Sequence, residues 1–457
     1  MRTGDIASFF GNQTMASFIP LTDIKTQGDA EHYFTKGYLG VCTFGNFQKA
    51  FPDVDATKIY FCCGGVSAYY FDKENLILFP VWVAGTEFVG PPDKTLKEMI
   101  DNGIAFFEES NAEGNYSDGM FALDNRIRME YLNLLLDSGK TVGMYQSFLD
   151  YYSSSDFGCD AISPENMEKL LSLKSEKEVK ATQNALKEFP EVVTIYRGEG
   201  DKSTPYSKAW SWSADVNVAS FFAARFNSEK ARIITATVSK NDIMEYIEGN
   251  ESEILVNPHR VTVISAVELF GSDFLEAIPK TVLNLYKEYR DILLQMDFPN
   301  HSGHDRLHTA RVLLLALILG DLLNISKVEM HTLATAALFH DIGRICDGVD
   351  ESHGMRSSEI YKDMCQTEIF EGYNPVTDFL IETHCLPDEV GYSRGFIEHR
   401  YGQLPPETEI LFNIFKDADA LDRVRFGIRS LDIKQLRLDI SKKLLSIANL
   451  CVDGVKL

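Results

Sequence analysis

The sequence has no CxxC pair, no apolar stretch long enough to cross a bilayer, and too few cations to balance its acids. Its eight cysteines lack framework spacing, and the adjacent Cys62-Cys63 reads as buried apolar filler. That usage excludes a disulfide scaffold and fits a reduced, cytoplasmic compartment. Behind Arg2, the opening MRTGDIASFFGNQT lacks the continuous apolar core of a secretory signal. The longest apolar run, Val312 to Leu319, stops at Gly320-Asp321, well short of the roughly 20 residues of a membrane helix. Lys and Arg number 44 against 67 Asp and Glu, a net charge of −23. That balance argues against a broad nucleic-acid footprint or a membrane partner, while leaving room for a local cationic pocket for a nucleotide.

What is present is the composition of a soluble globular protein, 45% hydrophobic and 24% charged. At 457 residues the chain exceeds one ordinary core, so two or three domains are expected. Short strands are expected at Ile59–Phe61, Ser67–Phe71 and Leu76–Val83, with a turn at Asp72-Lys73-Glu74-Asn75. Apolar residues at three- and four-residue spacing predict helices over Thr95–Phe107, Phe121–Leu136 and Glu165–Phe189. Strands return at Val192–Arg197, Arg232–Val238, Ser252–Val256 and Val261–Leu269, and helices run on from Pro279. The resulting division is an unassigned β-rich segment 1–93, a mixed domain 94–275 and a helical domain 280–457.

In GNESEILVNP, Glu251 and Glu253 would project from one face of an extended strand, where like charges repel. Upstream stand Tyr196-Arg197-Gly198 at a strand end and Ser211-Trp212-Ser213 on another strand. In this order the three motifs resemble the arginine–serine–glutamate class of mono-ADP-ribosyltransferases, with Trp212 replacing the usual threonine of the serine motif. The resemblance implies NAD as cofactor, bound by Arg197, Gly198, Ser211 and Ser213. Glu253 would stabilise an oxocarbenium-like ribose and Ser211 would hold its rotamer, while Glu251 would deprotonate the nucleophile. It favours a protein arginine as acceptor, with a nucleic-acid or nucleotide acceptor as the alternative.

Eight of the ten histidines, at positions 301, 304, 308, 331, 340, 353, 384 and 399, crowd into the helical half. The strings HTARV, FHDIGR, SHG and KDADALDRVR resemble those of HD-domain metal-dependent phosphohydrolases. The resemblance implies His308, His340, Asp341 and Asp419 as ligands of a divalent metal (Mn, Fe, Zn, Ni or Mg), with Asp417 as the rival of Asp419. His384 and His353 fall where relatives carry a second metal site or a catalytic histidine, and Arg344 falls near a phosphate-binding position. His301, His331, His399 and the His304-Asp305 pair read as structural.

The expectation is a multidomain α+β protein: an ADP-ribosyltransferase-like split β-sheet domain with a helical lobe, then an all-α HD domain. It would be bifunctional, with a nucleotide-like phosphate substrate in the HD half that trims the product or tunes the transferase. By analogy such a pairing suits a toxin, effector or defence enzyme. The alternatives make the HD half the sole enzyme with a substrate-recruiting first half, or make the chain a nucleotide sensor.

Overall fold

In the computed structural model, residues 18–33, 41–62, 68–152, 161–201, 203–225, 228–298, 304–366 and 372–456 are described. The opening segment, Cys63, Ser67 and His301 lie outside them. The chain divides into two compact units, Met1–Phe189 with Met244–Tyr246, and Pro190–Ile243 with Ile247–Leu457. The positions 271–280 fall inside the second unit.

The first unit opens with an antiparallel sheet of β1 (Phe18–Pro20), β2 (Ile59–Cys62), β3 (Ala68–Asp72) and β4 (Ile77–Val81), in that order. Asp72 makes the β3–β4 turn by accepting from the backbone N–H of Glu74 and Asn75 at 3.1 and 3.3 Å. Two short strands follow, β5 (Val83–Ala84) and β6 (Glu87–Phe88). The expected strand Leu76–Val83 is therefore shorter, because Leu76 takes a positive φ of 53° and cannot extend the ladder.

Helices follow at Leu96–Ala112, Tyr116–Ala122, Arg128–Asp137, Met144–Tyr152, Pro164–Ser172 and Glu176–Ala185. Two expected helices are each broken in two. Asp124 accepts from the N–H of Arg126 at 3.0 Å, an Asx turn that splits Phe121–Leu136. Ser175 forms a capping box with Glu178, so a new helix starts inside Glu165–Phe189. Near the end of this unit Lys174 Nζ pairs with Glu245 at 2.6 Å, both side chains buried. Glu245 also accepts from Thr182 Oγ1 at 2.8 Å and from the Tyr145 hydroxyl.

The second unit carries β7 (Val192–Glu199), β8 (Ser211–Ser213), β9 (Arg232–Ser239), β11 (Glu253–Val256) and β12 (Thr262–Glu268), whereas most of β10 (Ile243–Ile247) belongs to the first unit. Neighbours run β11-β8-β7-β9-β12. The helix Val216–Ala224 lies directly on β7, where a Cβ at Gly198 would stand 2.0 Å from the Ala219 carbonyl oxygen. Only glycine permits that approach. Ala219, Ala223 and Ile233 share one core with Leu313, Leu333, Phe379 and Ile414 of the C-terminal helices. Asn217 fastens this helix to the C-terminal segment, donating to Asp432 at 3.0 Å and accepting from Ile433 N–H at 2.9 Å.

Candidate functional site

Four helix ends deliver the histidines. Asp305 caps the helix Arg306–Leu322 by accepting from the N–H of His308 at 2.9 Å, which fixes that residue in the first turn. His340 is the C-cap of Lys327–Phe339, followed at once by Asp341. His384 is the C-cap of Pro375–Thr383, His353 begins His353–Met364, and Asp419 comes from Thr408–Leu421. Ser357 binds the two strings together, donating to the His340 carbonyl at 2.7 Å and accepting from Gly343 N–H at 2.9 Å.

Three of these rings are oriented by the backbone three residues earlier. Nδ1 of His340 meets the Ala337 carbonyl at 2.8 Å, Nδ1 of His384 meets the Ile381 carbonyl at 2.7 Å, and Nδ1 of His353 meets the Asp350 carbonyl. A carbonyl can only accept, so each Nδ1 carries a proton and the nitrogen left to act as a ligand is Nε2, turned inward. The inward Nε2 atoms meet in pairs, His340 with His308 and His353 with His384. His340 Nε2 lies 3.1 Å from His308 Nε2, and His353 Nε2 lies 2.8 Å from His384 Nε2. Asp341 stands between the pairs, with Oδ2 3.3 Å from His308 Nε2 and Oδ1 3.2 Å from His353 Nε2. Asp419 Oδ1 is also 3.3 Å from His308 Nε2.

Lone pairs and carboxylates packed this closely repel unless a cation sits among them. Donors about 2.0–2.2 Å from one metal ion lie roughly 3.0–3.5 Å apart, the spacing seen here. The residues therefore fit a divalent metal. Burial works against a charge on His308, but hydrogen bonds to Asp341, Asp419 and Asp422 outweigh it and raise the imidazole to about 10. Burial lowers His340 to about 3. Asp341 is held well below the carboxylate range against its burial, chiefly by His340, His308 and His353. The His308 proton thus occupies the place a metal would take.

Residues 307–424 match the family model of the HD domain. No curated protein and no solved structure matches the chain. The match contains His308, His340, Asp341, His353, His384 and Asp419 and does not extend to the sheet. In the matched segment Asp417 is turned away from the cluster, accepting from the backbone N–H of Arg437 and Leu438, each at 2.9 Å. Arg344 Nε lies 3.2 Å from Asp341 Oδ1, at the rim of the cluster. His331 pairs with Tyr289 at 3.0 Å and His399 is exposed, so neither joins. His304, read as structural, has its ring against that of His308, with burial lowering it to about 4.

Sequence reasoning gave no role to Asp422, whose Oδ2 accepts from His308 Nδ1 at 2.7 Å and whose Oδ1 accepts from Arg311 Nε at 2.5 Å. The signal was available: Asp422 stands three residues after Asp419, and Arg311 three after His308, the interval of neighbouring positions on a helix face.

In the sheet, the strands bearing Arg197, Ser211-Ser213 and Glu253 are immediate neighbours. Ser211 Oγ donates to Glu253 Oε1 at 2.5 Å, and Ser213 Oγ donates to the Glu251 carbonyl at 2.7 Å. Glu253 is buried, whereas Glu251 is half-exposed on the turn before β11. Between them Ser252 takes a positive φ of 44°, so the pair does not share one extended strand as expected from the alternation. Arg197 donates to the carbonyls of Ser211 at 2.7 Å and Thr204 at 2.9 Å. Trp212, in place of threonine, is buried and donates to the Ala209 carbonyl at 3.2 Å.

Proposed function

We propose that the chain is a metal-dependent phosphohydrolase through its HD domain, with His308, His340, Asp341, Asp419 and His384 as metal ligands. The observation that carries this is the convergence of two buried histidine pairs on the two oxygens of Asp341, each ring locked from behind. When bound, the ion would polarise a phosphoryl oxygen and lower the pKa of water. Asp422 keeps His308 in its ligating tautomer through Nδ1, and Arg344 at the rim offers its guanidinium to a phosphate oxygen. His353, with its Nε2 lone pair facing His384 and Asp341, would take a proton from the attacking water and return it to the leaving oxygen. The substrate class is a nucleotide-like phosphate compound. Purified protein should hold a divalent metal and release inorganic phosphate from a nucleotide panel, and the Asp341→Asn variant should do neither. Equal phosphate release by both proteins would sink the reading.

We further infer that the sheet is an NAD-dependent mono-ADP-ribosyltransferase site. The Ser211–Glu253 hydrogen bond favours this second activity, because it fixes a buried carboxylate to the strand that lies between it and the one carrying Arg197. Glu253 would meet the developing ribose cation, and Glu251 would take the proton of an arginine acceptor. Arg197, Ser211 and Ser213 would line the cofactor pocket, with Gly198 letting the helix close on β7. Nicotinamide release from NAD by wild type and not by Glu253→Gln tests it. Release by both variants alike would remove the assignment.

A further inference from the structure

Arg429 Nη2 lies 3.3 Å from Glu251 Oε1. Its guanidinium carbon also sits 4.3 Å from the ring centroid of Phe221, on the helix that follows the serine motif. The pair is not a chance meeting of two free side chains. On one side, Ser213 holds the Glu251 carbonyl and Ser252 takes a positive φ, so the turn presenting the carboxylate is fixed. On the other, Arg429 stands in the turn Ile428–Ser430, entered through Gly427 at φ 102°. That turn is tied by Ser430 Oγ to the Phe426 carbonyl at 3.0 Å and by Arg423 Nε to the Ser430 carbonyl at 3.2 Å. Three and four residues later Asp432 and Ile433 are gripped by Asn217, from the same helix as Phe221.

An exposed ion pair contributes little to stability, about 0–1 kcal/mol, so stability does not explain this amount of scaffolding. The chemistry does. The guanidinium lies on an aromatic face with Glu251 in reach of its proton, two residues from the buried, serine-held Glu253.

We propose that Arg429 is an internal acceptor of the sheet site, and that the protein ADP-ribosylates itself there; this rests on the transferase reading above. The C1′–N bond of NAD to nicotinamide breaks, with its electron pair leaving on nicotinamide. A guanidino nitrogen of Arg429 supplies the pair for the new C1′–N bond. The proton that this nitrogen loses passes to Glu251 and then to water. Modification removes the Arg429–Glu251 contact, so the site is opened to other acceptors only after it has acted once on its own chain.

The full chain is incubated with NAD as wild type, Arg429→Lys and Glu253→Gln, with and without agmatine as a small guanidine. Intact mass, fragmentation mapping and nicotinamide release are read. Wild type should gain one ADP-ribosyl group on Arg429 at a fractional rate independent of protein concentration. Arg429→Lys should gain none there, yet turn over agmatine at least as fast as wild type, since the acceptor position is vacated. Glu253→Gln should be silent. Nicotinamide release with agmatine but no label on Arg429, or equal labelling of Arg429→Lys, overturns the inference and leaves the transferase reading standing. No release from folded wild type under either condition overturns both.

Discussion

Asp422 accepts from Nδ1 of His308 while the opposite nitrogen of that ring faces Asp341 and Asp419. One carboxylate therefore decides which nitrogen is left to ligate. Asp422→Asn should lower metal affinity and phosphate release about 10–100-fold, the usual consequence of losing a group that orients a ligand. Asp417→Asn, which disturbs the buried contacts to Arg437 and Leu438 instead, should lower the melting temperature and leave metal stoichiometry intact. Metal analysis beside thermal melts separates the two.

Metal binding should release a proton. In metal-free protein His308 is raised to about 10, so at neutral pH the incoming ion must displace that proton. Apparent affinity should climb about tenfold per pH unit across the neutral range, and calorimetry in buffers of different ionisation enthalpy should detect the proton.

The same shift has a stability consequence of defined sign. Because the folded value is raised, its contribution is fully present below the ordinary 6.5 and is lost as pH rises through about 10. Chelated protein should therefore lose more stability between those values than metal-loaded protein does. Denaturant titrations at several pH values check it.

Removing Ser211 should weaken the sheet site without emptying it. A hydrogen bond to a charged partner contributes about 1.5–3 kcal/mol. Ser211→Ala should thus slow nicotinamide release about 10–150-fold if that bond orients Glu253 in the transition state, and by leaving the buried carboxylate short of a donor it should also lower the melting temperature.

Lys174 and Glu245 are both buried and hydrogen-bonded. Lys174→Ala leaves a buried carboxylate without its cation and should cost about 3–5 kcal/mol in the first unit, whereas replacing both by methionine should recover much of it. Chemical denaturation of wild type and the two variants decides.

The HD strings were legible because their chemistry is local: His340 and Asp341 are adjacent, and an apolar helix leads into them. The grouping of His308, His353, His384 and Asp419 came only through the resemblance, since nothing in the spacing says that four helix ends converge. In the sheet, the motifs were readable but the backbone between Glu251 and Glu253 was not, because a positive φ at Ser252 has no mark in residue type. The Asx turn at Asp124 and the capping box at Ser175 were written in the sequence, and continuous apolar periodicity across them hid both breaks. The pairing of Glu251 with Arg429 joins residues far apart in the chain and had no signal at all.

Nδ1 of His340 and of His384 each close the last turn of their own helix, so one half of each imidazole belongs to folding and the other half to chemistry. The cavity is consequently assembled before any ion arrives, and stripping the ion leaves these helix caps in place. Loss of metal is then a reversible vacancy in a finished mould, and a lineage that abandoned the hydrolysis would still have reason to keep these two histidines.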